Sequence, residues 1–161
     1  MSNYDGSGSS APVQTDHPMK WHKFLVYFAL WASALYEAYQ GYLLFTGASY
    51  GKNADAVYLR FSGLKNIDTI FGIIMFLEAA YIVYTTLQLM KFKQGAPGKL
   101  MLMYLLNVGI VVVYLLIVSN STGISFSELA GTNLYSSIAG AIVGALICKN
   151  YYDKRSDLFV N

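Results

Sequence analysis

The chain has 161 residues and a net charge of +2, a length suited to one compact domain. Hydrophobic residues make up 55% and charged residues only 12%, against roughly 45–50% and about 25% in soluble domains, and the apolar residues fall into four long blocks. That is the composition of an integral membrane protein, and it excludes a secreted disulfide scaffold, a soluble nucleic-acid binder and a disordered chain.

Residue types narrow the chemistry. Cys148 is the single cysteine, so there is no internal disulfide, CxxC pair or cysteine metal cage. His17 and His22 both precede the first apolar block, which leaves no histidine at membrane depth to ligate haem or metal. Neither an intramembrane Ser/His pair, nor HExxH, nor a phosphate-binding Gly-rich loop with a lysine is present. A non-enzymatic protein without cofactor or metal is expected.

Residues 1–18, rich in Ser, Gly and Pro, read as a disordered tail rather than a signal peptide. The expected spans follow at about 24–45, 68–90, 100–118 and 131–148, within a bundle over 19–150. Each is long enough to cross a hydrocarbon core of about 30 Å at 1.5 Å per residue, and lipid leaves helices as the sensible element. Gly95, Pro97 and Gly98 predict a tight turn between the second and third spans. Ser125 and Glu128 have capping-box spacing before the fourth. Residues 151–161 form a short tail. The predicted fold is all-α: a four-transmembrane-helix up-down bundle.

Charge sets the orientation. Of the 11 Lys and Arg residues, only Lys52, Arg60 and Lys65 fall on the side opposite the termini. Both termini are therefore expected in the cytoplasm, with the protein multi-pass in the plasma membrane.

Glu37 and Glu78 are the informative residues, because an ionisable group near the middle of a span is costly. At 1.5 Å per residue Glu37 lies about 20 Å and Glu78 about 18 Å from the cytoplasmic ends. The same count puts Tyr114 and Ser136 near ~20 Å and Asn107 nearer ~10 Å. Helical spacing places Gln40 on the Glu37 face and Tyr81 on the Glu78 face. These seven side chains are the candidate intramembrane polar layer. It serves either as a closed hydrogen-bond network that fixes helix pairing or as a site where protons and cations compete. Asp68 reads as a helix-start residue favoured by the macrodipole.

In the fourth span Thr132, Ser136, Gly140, Gly144 and Cys148 recur every fourth residue, and Gly140 and Gly144 form a GxxxG. Such a stripe packs within the monomer or forms a homodimer seam; internal packing is the first expectation.

The segments MKWHKFLVYFALWASAL (19–35), KQGAPGKLMLMYLLN (93–107) and KRSDLFVN (154–161) resemble a group of small uncharacterised bacterial four-span membrane proteins. That resemblance implies the fold and no activity. A looser likeness is to the small multidrug resistance transporters, which have four spans, an essential first-span glutamate and last-span dimerisation. Glu37 and the fourth-span stripe match that pattern, while Glu78 and the greater length depart from it. The expected function is an accessory or assembly module embedded in the bilayer, its protein partner not specified by the sequence. The alternative is a proton-coupled small-cation transporter using the glutamate pair.

Overall fold

The computed structural model describes residues 19–160; the expected tail over 1–18 lies outside them. The described residues are all helical or in short connections. Helix α1 (Lys20–Phe24) continues through a π-helical turn (Leu25–Ala29) into α2 (Leu30–Thr46). A 3-10 turn (Ala48–Asn53) and a short α3 (Ala54–Arg60) form the first connection. Three long helices follow: α4 (Leu64–Met90), α5 (Ala96–Thr122) and α6 (Phe126–Asp153).

Two of these, α4 and α5, are long and apolar enough to cross a membrane, and α6 makes a third if its bend is counted within one span. The long helices begin several residues before the apolar blocks do, because their first turns are polar or small and carry no hydropathy signal. Helix ends are marked by local chemistry. Gly47, Gly63, Gly95 and Gly123 take positive φ at helix boundaries, where a side chain would strain the backbone. Ser125 caps α6 by accepting the Glu128 N–H at 3.3 Å. Within α6, Gly131 has φ 53 and ψ −171, and the helix bends there by 57°.

Closest backbone packing joins α2 to α4, then α5 to α6 and α4 to α5. The α2–α4 crossing depends on two facing glycines. A Cβ on Gly41 would lie 2.9 Å from the Gly72 carbonyl oxygen, and a Cβ on Gly72 would lie 2.9 Å from the Gly41 oxygen. Only hydrogen fits at either position.

The apolar core sits toward the termini. Leu25, Val26 and Leu30 meet Leu89, Leu100, Met103 and Cys148 there. His22 closes that end: its ring stacks on Phe92 at 4.9 Å, and its Nδ1 hydrogen-bonds the Tyr152 hydroxyl at 3.0 Å. Phe159 packs edge-on against His22 and Tyr152. The C-terminal segment therefore folds back over the end of the bundle.

The fourth-span stripe divides in two. Cys148 is buried, and a Cβ on Gly144 would touch the Tyr104 ring at 3.5 Å. Thr132, Ser136 and Gly140 are exposed, and a Cβ on Gly140 would meet nothing within 4 Å. Internal packing thus accounts for the half near the terminus only.

Candidate functional site

Glu37 on α2 and Glu78 on α4 are both buried, with 7% and 5% of their surfaces exposed. Glu37 shares its helix face with Ala34 and Gly41, also buried, so the α2–α4 crossing draws it inward. From α5, Asn107 donates Nδ2–H to Glu37 Oε1 at 2.7 Å. The backbones of α2 and α5 make little direct contact, so this bond bridges a gap between them. Asn107 thus joins the glutamate level rather than lying one layer away; α5 starts at Ala96, earlier than the apolar block, and depth counted from residue 100 falls short.

Glu78 differs. Both of its carboxyl oxygens are buried without a hydrogen bond of ordinary length, although the Asn107 amide that binds Glu37 also lies beside it. Two turns along α4, the Thr85 hydroxyl is buried and unpartnered as well. Buried polar atoms are almost always paired, and exceptions mark strain, function or an occupant.

Two cavities meet at this level. One, of about 400 Å³, lies toward the termini between α2, α4 and α5 and is lined by Ser33, Glu37, Glu78, Ile82, Met103 and Asn107 among others. The second, of about 350 Å³, lies toward the α3 end and takes its walls from α2, α4, α5 and α6. Glu37, Gln40, Asn107, Tyr114 and Ser137 are its polar groups, set among Leu44, Met75, Val111 and Leu134. Tyr36, Glu37 and Asn107 line both, so the Glu37–Asn107 bond stands at the boundary.

Three predicted members of the layer lie elsewhere. Tyr114 donates to Asp68 Oδ1 at 2.9 Å, nearer the α3 end. The Tyr81 hydroxyl meets the Lys99 carbonyl at 3.5 Å, nearer the termini. Ser136 is exposed and donates to the Thr132 carbonyl of its own helix at 3.2 Å; the neighbouring Ser137 faces the cavity in its place. Level along the bundle separates Tyr114 and Tyr81 from the glutamates, and helix rotation separates Ser136.

Asp68 departs most from its sequence reading. It sits beyond the first turn of α4, fully buried at 0% exposure. Tyr58 on α3 donates to its Oδ2 at 3.1 Å, opposite the bond from Tyr114. Tyr50 packs edge-on against Tyr58 at 5.5 Å between ring centres. Burial first, and the Asp68 charge second, push the Tyr50 phenol up to about 12 and raise Tyr58 as well. A macrodipole partner needs no such enclosure. No group of three or more His, Cys, Asp or Glu side chains that could hold a metal ion occurs among the described residues.

No protein-family description, curated protein or solved structure matches this chain.

Proposed function

We propose that the protein spans the bilayer four times with both termini cytoplasmic, and that Glu37 and Glu78 form a midplane site exchanging protons for a small cation. The observation carrying this reading is the Glu78 carboxyl, buried without a hydrogen bond of ordinary length on the wall of a cavity it shares with Glu37. A network built only to fix helix pairing would satisfy those oxygens. The first span in this reading is the π turn together with α2, residues 25–46, which meets the roughly 20 residues a crossing needs. The bent α6 is the fourth. Two carboxyls in one cavity bind a proton or a cation in competition, since either neutralises the same charge.

The test is proton release. Adding a monovalent cation, drawn from a panel of alkali and organic ammonium ions, to lightly buffered detergent-solubilised protein should acidify the medium. Glu37→Gln and Glu78→Gln should each reduce that release while leaving the melting curve in place. No release across the panel refutes the reading.

A second reading, an accessory or assembly module, draws on a different observation. Only 11% of the most apolar stretch of α5 is buried, against 39% for α4, and Thr132, Ser136 and Gly140 of α6 face outward. In that reading the outer half of α6 seats a second copy. Gly140→Leu would then dissociate dimers without unfolding the monomer.

A further inference from the structure

Asp68 is a fully buried carboxyl, and among the described residues no Lys or Arg lies within salt-bridge distance of it. It is held instead by hydroxyls that point in two directions. Tyr58 belongs to α3, in the connection that covers this end of the bundle, and is half-buried. Tyr114 belongs to α5 and lines the same cavity as Glu37 and Gln40. The titratable groups facing Asp68 are thus Tyr58, Tyr114 and Tyr50, the last packed edge-on against Tyr58 and lying beside both Asp68 and Tyr114. A line of polar side chains therefore runs from Tyr58 through Asp68 to Tyr114, on the wall of the cavity that Glu37 also lines.

We infer that Asp68 is the proton-exchanging group at the α3 end of the cavity, loaded through Tyr58 and unloaded through Tyr114. The inference rests on the reading of Glu37 and Glu78 as a proton-binding site. On entry, an external hydronium gives its proton to the Tyr58 oxygen while the Tyr58 hydroxyl proton passes to Asp68 Oδ2. On exit, the protonated carboxyl turns to carry its proton from the Tyr58 side to the Tyr114 side and gives it to the Tyr114 oxygen as Tyr114 releases its own hydroxyl proton to water or ligand in the cavity. Both tyrosines end neutral, Asp68 ends as a carboxylate, and one proton has moved with no change of oxidation state. A helix staple would use the same hydrogen bonds but would have no reason to end one of them on the cavity wall.

The experiment uses the full chain in membrane vesicles of either orientation, with gradients of the alkali and organic ammonium ions of the same panel imposed one at a time and a pH-sensitive dye. Wild type should carry protons, with a rate that titrates against pH on the α3 side at fixed pH on the terminus side. Asp68→Asn should remove that titration step and slow the flux by on the order of a hundredfold or more. Asp68→Glu should restore the step at a shifted pH. Should Asp68→Asn fail to fold, Tyr114→Phe decides: it deletes one hydroxyl and keeps the ring that packs on Phe71 at 5.2 Å. Wild-type flux with an unchanged α3-side profile in folded Tyr114→Phe and Asp68→Asn overturns the relay. Flux surviving in Glu37→Gln overturns the midplane reading alone, since the α3-side profile still reports on Asp68. A wild type without proton flux overturns both.

Discussion

Replacing Gly72 with alanine tests how α2 and α4 are held together. The added Cβ would lie 2.9 Å from the Gly41 carbonyl oxygen, 2.9 Å from the Phe45 nitrogen and 3.0 Å from the Phe45 Cβ. Two of those atoms are backbone, so no rotamer change relieves the clash, and the helices must part by about half an ångström to regain ordinary contact. A gap of that size forfeits roughly a quarter or more of the dispersion well for each atom pair along the seam, and overpacking of this kind costs about 1–3 kcal/mol. Gly140→Ala is the control, because its Cβ meets nothing within 4 Å. Any gain in helix propensity is shared by both variants and cancels. Unfolding in mixed SDS micelles, followed by circular dichroism, should therefore place Gly72→Ala about 1–3 kcal/mol below Gly140→Ala. Equal stability would show that the glycines do not set the crossing.

Asn107→Leu removes the donor to Glu37 Oε1 and leaves a buried carboxyl unpaired, a loss of about 1–3 kcal/mol in the same unfolding assay. Gly144→Leu should destabilise the monomer by driving into the Tyr104 ring, whereas Gly140→Leu should leave its unfolding midpoint unchanged. Burial holds the His22 pKa below its ordinary value, so as pH falls the unfolded chain takes up its proton first. Stability is then full above pH ~6.5, declines as pH falls from there toward the lowered folded value, and flattens below it. His22→Phe keeps a ring against Phe92 and should abolish that pH dependence, read as protease cleavage of the C-terminal segment at pH 7 and pH 5.

Helix identity was legible because apolar runs of this length admit little else in lipid. Helix starts were less so: the polar first turn of α4 at Lys65 and Asn66 belongs to the helix without adding hydropathy. Glu37 and Glu78 were legible as acids set within apolar runs, and the cavity they share agrees with counting depth along antiparallel helices. Counting gives no rotation, which is why Ser136 is grouped with them and Ser137 is not; face spacing gives no level, which is why Tyr81 is grouped with them too. Asp68 looked like a helix-start residue because its partners, Tyr58 and Tyr114, lie on elements whose placement no local pattern reports. Gly72 carried no signal beyond being a lone glycine within an apolar run, and its role appears only when Gly41 is seen opposite it.

The π turn at Leu25–Ala29 decides which way the first helix faces along its length. At about 3.6 residues per turn, Ala34 would come round roughly 120° from His22, and the terminal clasp and the glutamate would address different neighbours. One turn closed i→i+5 absorbs most of that excess by taking about one additional residue per revolution. His22, Leu25, Val26, Leu30, Ala34 and Glu37 consequently all turn inward. The turn acts as a phase adjuster in a shaft. Tightening it to α geometry would twist the upper half of the helix by close to 90° with its lower end still clamped, swinging the Glu37 carboxyl away from Asn107 without unwinding either end.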